Sequence, residues 1–93
     1  MFTWLNKQGV ASDAGYILQR MHRFFYYYQE GDYVLQINVE PGSDCEEIFF
    51  SKNPQWNVPH HLVSIDCEKL KNIQQNIEEA LIFMGIHHCF NKT

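Results

Sequence analysis

The chain is 93 residues long, and 45% of its residues are hydrophobic, 19% charged and 15% aromatic. This length and composition indicate one folded domain spanning residues 1–93, and they exclude an intrinsically disordered chain. Eleven acidic against seven basic side chains give a formal charge of −4, which disfavours a nucleic-acid binder that neutralises phosphates. No apolar run approaches the roughly 18 to 20 residues that a membrane-spanning helix needs, and the first ten residues lack the pattern of a secretory signal.

Cysteine usage favours a reducing compartment. There are three cysteines, an odd number, and no two of them form a Cys-x-x-Cys pair: Cys45, Cys67 and Cys89. A secreted domain of this size usually carries a denser, even-numbered set. We therefore expect three free thiols in a cytoplasmic protein.

The first half of the chain carries strand signals. Its first five residues include three large apolar side chains, which we expect to anchor the terminus on the body of the protein. Beyond them, short runs rich in β-branched and aromatic residues are bounded by turn residues, a pattern typical of strands. Four strands are predicted from this pattern, at residues 16–20, 23–28, 33–40 and 45–50. The third alternates most strictly, with one set of side chains pointing to one face: Tyr33, Leu35, Ile37 and Val39.

The turn between the second and third strands determines which aromatic side chains face outward. Residues 29–32 read Gln-Glu-Gly-Asp, and they favour a three-residue hairpin with Gly31 in a left-handed bulge. In that register Tyr27 faces Tyr33 on the core side. The outer side then carries Phe24, Tyr26, Tyr28 and Val34. A slip of one residue would exchange the two sets, but an aromatic row would remain on the outer side in either register.

A helix near the C-terminus is expected to cover the sheet. Ser64 or Asp66 can cap its first turn, and Gly85 stands at the position where helices commonly end. Between them, apolar residues recur at helical spacing and form one stripe: Leu70, Ile73, Ile77, Ala80, Leu81 and Met84. Residues 52–59 read as a loop with Trp56 as its buried anchor. The predicted fold class is α+β, an antiparallel meander of about four strands packed by one C-terminal helix.

Residues that could carry chemistry are few. No glycine-rich phosphate loop is present, and no pair of carboxylates is placed for acid–base catalysis. Cys67 lies near two histidines in the sequence, but no oxyanion element accompanies them. The pattern leaves open whether His87, His88 and Cys89 bind a metal, although their spacing matches no zinc motif. We therefore predict a protein that is not an enzyme, with no metal site and no cofactor.

The outer aromatic row is the feature that indicates a partner, since monomers rarely leave a contiguous apolar patch exposed. Glu30, Asp32 and Glu40 flank it and could attract a basic protein, and Asp44, Glu46 and Glu47 extend this acidic set. The candidate partner-binding residues are Phe24, Tyr26, Tyr28, Glu30, Asp32 and Val34. Three occupants stay open: a second copy stacked sheet on sheet, the first residues of the chain itself, and a different protein. A homodimer is the favoured oligomer.

Positions spread over most of the chain carry a family resemblance. They are Gly15-Tyr16, Arg23, Tyr28-Gln29-Glu30-Gly31-Asp32, Leu35, Val39-Glu40, Trp56, Pro59 and Ala80-Leu81-Ile82-Phe83-Met84-Gly85-Ile86. With them the chain resembles a group of small bacterial α+β proteins. Some members are classed as immunity proteins of polymorphic toxin systems, of the type numbered seventy-four, and similar proteins are carried on integron gene cassettes. The resemblance implies that the protein binds and neutralises a cognate toxin inside the producing cell, and it supplies no catalytic residues.

Two functions from different classes follow. We expect a non-enzymatic protein-binding module, of the immunity type, that blocks a protein partner and binds neither nucleic acid nor membrane. The alternative is a small-ligand-binding or enzymatic cassette protein with a pocket at the helix–sheet seam or at a dimer seam. A pocket of roughly 300 Å³ or more is hard to fit in so thin a core unless two chains share it.

Overall fold

The computed structural model describes residues 1–42, 44–50 and 54–92. Within these ranges the chain forms one sheet of seven strands and one helix. In chain order the elements are β1 (Phe2–Asn6), β2 (Gly9–Ser12), β3 (Ile17–His22), β4 (Phe25–Glu30), β5 (Tyr33–Pro41), β6 (Glu46–Phe50), α1 (Cys67–Met84) and β7 (His88–Lys92).

Strands that are neighbours in the sheet are also neighbours in the sequence, so the order across the sheet runs from β1 to β7. The first five pairings are antiparallel, and β7 pairs in parallel with β6. A parallel pair needs a long connection, which α1 and its flanking loops provide. The predicted α+β class and the single helix are confirmed for the described residues. The predicted number of about four strands is wrong, and the helix is followed by a further strand.

The three strands that the sequence did not reveal lie at the two edges of the sheet. β1 is formed by the segment predicted as a terminal anchor, and antiparallel pairing to β2 holds it. β2 reads Gly-Val-Ala-Ser, a composition with low strand propensity. β7 depends on pairing with β6, from which the whole helix separates it in the sequence. No local pattern therefore indicates it.

The turn between β4 and β5 contains two residues, Gly31 and Asp32, instead of the predicted three-residue bulged loop. Glu30 pairs with Tyr33 across it. Gly31 has a φ of +58°, and no non-glycine residue in the described ranges has a positive φ. A positive φ at the first central residue alone is typical of a type II′ hairpin turn, whose twist matches that of the flanking strands. The bulge does not form, because glycine at this position lets the two strands pair directly.

This register reverses the predicted faces of β4. Tyr26 pairs with Ile37 and Tyr28 with Leu35, so both tyrosines share the inner face with the apolar side chains of β5. The two tyrosines are 1% and 0% exposed. The prediction that Tyr26 and Tyr28 face outward is wrong. On β5, Leu35, Ile37 and Val39 are buried as predicted, whereas Tyr33 is 36% exposed. The alternate residues of β4 point outward instead.

One hydrophobic core lies between the inner face of the sheet and α1. Its buried members among the described residues are Val10, Tyr16, Leu18, Tyr26, Tyr28, Leu35, Ile37, Val39, Ile48, Phe50, Trp56, Ile73, Ile77, Ala80 and Leu81. Trp56 is buried as predicted, although residues 52–53 of its loop lie outside the described residues. Phe2 packs against this core, which confirms that the N-terminal segment is anchored.

Helix α1 begins and ends where the sequence predicts. The side chain of Asp66 accepts a hydrogen bond from the backbone nitrogen of Lys69 at 2.7 Å, which satisfies one of the free donors of the first turn. Gly85 ends the helix with a φ of +75°, the left-handed conformation that favours glycine. The middle of the predicted apolar stripe is fully buried: Ile73, Ile77, Ala80 and Leu81.

A disulfide joins Cys45, which precedes β6, to Cys89 in β7, with their Cα atoms 6.2 Å apart. Cys67 is the free cysteine of the described residues. The prediction of three free thiols is therefore wrong. The two bonded cysteines are 44 residues apart in the sequence, and only the parallel pairing of β6 with β7 brings them together. The cysteines no longer support a reducing compartment.

Replacing Gly31 by alanine should lower the free energy of unfolding by about 1–2 kcal/mol, because a β-carbon disfavours the left-handed region by that amount. A Cβ atom at Gly31 would meet no heavy atom within 4 Å beyond its chain neighbours, so the loss reports backbone strain alone. Gly31→Asn should cost less, since asparagine tolerates this region. Urea unfolding of both variants measures the difference. An alanine variant as stable as the native chain would contradict the turn described above.

Candidate functional site

The six predicted partner-binding residues do not form one surface. Phe24 is 49% exposed in the turn between β3 and β4, and Asp32 is exposed in the next turn. Val34 is half-buried on the outer side of β5. The other three lie on the inner face of β4: Tyr26, Tyr28 and Glu30. The patch expected from the sequence is thus divided among two turns and both faces of the sheet.

The hydroxyl of Tyr28 belongs to a polar network between β4 and α1. Its hydroxyl donates a hydrogen bond to Glu30 and accepts one from Asn76 Nδ2 at 3.0 Å. Glu30 Oε1 also accepts a hydrogen bond from Lys69 Nζ at 2.5 Å. Glu30, which was expected to attract a basic partner, is therefore paired within the protein to a lysine of the helix.

The hydroxyl of Tyr26 belongs to a second polar network, which is centred on Arg20. Arg20 Nη1 donates to Tyr26 Oη at 3.2 Å and to Glu46 Oε1 at 2.5 Å, and Nη2 donates to the backbone oxygen of Arg23 at 2.6 Å. Arg20 and Glu46 lie on β3 and β6, which two other strands separate. In a flat sheet these strands would be about 14 Å apart. The ion pair therefore shows that the sheet curls around α1 at this end.

Burial raises the pKa of three tyrosines on the inner face. Removal from water is the main cause for Tyr16 and for Tyr26. The pKa of Tyr28 is also raised, first by burial and then by its hydrogen bond to the carboxylate of Glu30. A tyrosine whose pKa is raised stays protonated at neutral pH and is not activated as a base or nucleophile. These hydroxyls therefore serve the structure as neutral hydrogen-bonding groups.

Except for the pair Glu40 and Glu47 at one end, the outer side of the middle strands is uncharged and partly aromatic. The outer face is defined as the outward side chains of β3 to β6 short of that pair: Ile17, Gln19, Phe25, Tyr27, Gln29, Val34, Gln36, Asn38 and Phe49. The rings of Phe25 and Tyr27 lie with their centroids 5.6 Å apart. The solvated face of an antiparallel sheet is usually polar, so this composition departs from that of an ordinary solvated face.

An acidic border adjoins the outer face. Glu40 on β5 pairs with Glu47 on β6, and both alternate outward. Asp44 is exposed in the connection between these strands. The exposed carboxylates of Glu40 and Asp44 give the otherwise neutral outer face a negative edge.

Phe25 and Tyr27 are not among the residues predicted to face outward. The register favoured by the sequence places them in the core, and only a slip of one residue places them outside. The local signal was present, because a Gly-Asp pair between two strand runs is typical of a two-residue hairpin turn. The prediction of a bulge at Gly31 overlooked this Gly-Asp signal.

The residues considered for catalysis or metal binding are scattered. In the ranges that the structure describes, no group of three His, Cys, Asp or Glu side chains could hold a metal ion. Cys89 lies in the disulfide and so offers no thiolate. His60 packs on Tyr33 with ring centroids 4.2 Å apart, and Cys67 is exposed at the first position of α1. Among the described helical residues, no segment has the length and hydrophobicity to cross a bilayer.

Comparisons with known proteins do not assign the chain to a family. No protein-family model matches it, and no curated protein or solved structure is significantly similar to it. The resemblance to immunity and gene-cassette proteins stays a prediction that these comparisons do not test. Function is therefore argued from the surfaces of the protein.

The free energy of unfolding should fall as the pH rises above about 10, because the unfolded chain releases tyrosine protons there that the folded protein retains at Tyr16, Tyr26 and Tyr28. A raised folded-state pKa leaves stability intact below the unfolded pKa and reduces it above that value. Tyr28→Phe removes one such proton and should make the slope shallower by about 1.4 kcal/mol per pH unit.

Urea titrations between pH 9 and 11.5, roughly the window in which tyrosine ionises, measure this slope. Phe25→Leu is the control, since it alters the outer face without removing a hydroxyl. An unchanged slope in Tyr28→Phe would show that Tyr28 ionises equally in the folded and unfolded states, contrary to its burial.

Proposed function

We propose that this protein is a non-enzymatic binding module that docks a protein partner on the outer face of its sheet. The observation that carries the proposal is the uncharged, aromatic composition of that face. Helix α1 packs on the opposite side of the sheet, and the apolar side chains of the outer face, among them Phe25 and Tyr27, are only half-buried. Monomers rarely expose contiguous apolar patches, and aromatic residues are enriched at the cores of protein interfaces.

The aromatic side chains of the outer face are already held in place. Phe25 stacks on His22 with ring centroids 5.4 Å apart, and its ring lies tilted against that of Tyr27 with centroids 5.6 Å apart. Side chains that are fixed before binding lose less conformational entropy when a partner docks. Beside them, Gln36 Nε2 donates to Asn38 Oδ1 at 3.2 Å. These amides supply both donors and acceptors for a polar rim.

The charge around the outer face favours a basic partner. The chain carries a formal charge of −4, and the exposed carboxylates of Glu40 and Asp44 lie beside the uncharged area. Two of the seven basic residues, Arg20 and Lys69, are already paired with carboxylates inside the protein. A negative field of this kind speeds the encounter with a positively charged protein.

The specific form of the proposal is an immunity-type protein that neutralises a cognate bacterial toxin by covering it. This form rests on the family resemblance and on the negative charge beside the outer face. An immunity protein meets its toxin in the cytoplasm, so this form of the proposal also places the protein there. The disulfide between Cys45 and Cys89 is of a kind more common in oxidising compartments and stands against that location. Fractionation of the producing cells decides whether the protein lies in the cytoplasm or in an oxidising compartment.

The immunity form predicts that a neighbouring gene encodes a toxin-domain protein, and the test uses that protein; neighbouring genes without a toxin domain would contradict this form. Co-expression should restore the growth that the toxin prevents, and calorimetry with the purified proteins should show direct binding. The double variant Phe25→Ser, Tyr27→Ser should weaken binding at least about tenfold, because it removes aromatic groups from the centre of the interface. Circular dichroism and thermal melting confirm that the variant is folded.

Phe24→Ser is the matched control, since it removes an exposed aromatic side chain next to the outer face but outside it. It should bind as tightly as the native chain. Equal binding by the double variant and the native chain would contradict docking on the outer face. If the double variant only separates a homodimer, the outer face is a self-association surface and the proposed hetero-partner is wrong.

A further inference from the structure

A groove of two adjoining clefts surrounds Arg20. The first cleft, of about 280 Å³, lies between the inner face of the sheet and the C-terminal end of α1. The second, of about 320 Å³, shares Gln8 and Arg20 with it. No residue of the outer face lines either cleft, so this groove is separate from the proposed docking surface. Its size lies at the lower end of the range for small-molecule sites.

Arg20 is held rigidly at the junction of the two clefts. Three of its N–H donors are used within the protein, on Tyr26, Glu46 and the backbone of Arg23. A guanidinium group has five N–H donors, so two are without a partner among the described residues. A guanidinium fixed in this way is suited to a planar carboxylate, which it binds through two parallel hydrogen bonds.

The charge of the groove differs in sign from that of the whole chain. Two cations, Lys7 and Arg20, and one anion, Glu46, line the first cleft. Its formal charge is therefore +1. Arg23 adds a further cation in the second cleft. Lys7 is exposed and forms no ion pair with any described residue. A small positive excess of this kind favours a monoanion.

Part of the wall of the first cleft is apolar and consists of Trp4, Met84 and Ile86, and Gln8 and Tyr26 complete the lining. Trp4 is 47% exposed, and its ring leans on Phe83 of α1 with centroids 5.6 Å apart. An indole face held in this way offers a stacking surface for an aromatic ring. A ligand with a flat apolar body would cover it.

We propose that the groove around Arg20 binds a small aromatic carboxylate, with the carboxylate at Arg20 and Lys7 and the ring against Trp4. The positive wall recognises the anion, and the apolar wall recognises the ring. Neither the outer face nor a toxin partner takes part, so this inference stands apart from the proposed docking function.

The experiment titrates the isotope-labelled full chain with 2-naphthoate and follows amide shifts by NMR. The shifts should be confined to the groove, at Lys7, Gln8, Arg20, Met84 and Ile86. The neutral analogue 2-naphthamide has the same ring without the charge. It should bind at least about tenfold more weakly, because hydrogen bonds to charged groups contribute more than neutral ones.

The test variant is Lys7→Gln, since Arg20 also holds Tyr26 and Glu46 and its removal would disturb the fold. Lys7→Gln should weaken naphthoate binding about two- to fivefold, the effect of one exposed ion pair. Lys71→Gln, which changes an exposed lysine of α1, should bind as the native chain does. The proposal is overturned if naphthoate causes no shifts at millimolar concentration, if the shifts map to the outer face, if naphthamide binds equally well, or if the two lysine variants behave alike.

Discussion

The two-residue turn at Gly31 and Asp32 determines which half of the aromatic strand β4 lies inside the protein. Because side chains alternate along a strand, a shift of one residue would exchange all inward and outward side chains of β4. In the observed register Tyr26 and Tyr28 face the helix, and the other aromatic residues of β4 face outward. The composition of both sides of the sheet therefore depends on the conformation of one glycine.

The buried tyrosines impose a second constraint, because a buried hydroxyl without a partner costs about 1–3 kcal/mol. The fold meets this constraint with two polar networks. Asn76 and Glu30 satisfy Tyr28, and Arg20 satisfies Tyr26. No buried side-chain nitrogen or oxygen in the described part of the chain lacks a hydrogen bond. The same networks tie the helix to β4 and β3 to β6, so they also shape the curl of the sheet and the groove around Arg20.

Features with a local signal could be predicted from the sequence. Helix α1, its cap at Asp66 and the alternation of β5 each follow from the periodicity or chemistry of neighbouring residues. β7 and the disulfide could not be predicted, because both depend on pairing between segments that the helix separates. The ion pair of Arg20 with Glu46 forms only because the sheet curls. No pattern in either strand indicates it.

In the candidate site, too, the features with a local sequence signal could be predicted and those that depend on strand pairing could not. An aromatic outer side was predicted in either register, and it is present. Its predicted members on β4 were wrong, because the choice depended on one residue at the turn, whereas Val34 of β5 faces outward as predicted. An aromatic outward surface could therefore be expected from the sequence, but its residues on β4 required the register.

The register is tested most directly by NOEs between α-protons across β4 and β5, since facing residues in the non-hydrogen-bonded pairs of an antiparallel ladder have Cα atoms only about 4.5 Å apart. The account predicts a strong NOE between the α-protons of Tyr27 and Gln36, which face each other across the two strands. An NOE between the α-protons of Tyr27 and Tyr33 instead would place Tyr27 in the core, and it would contradict both the outer face and the polar networks beneath it.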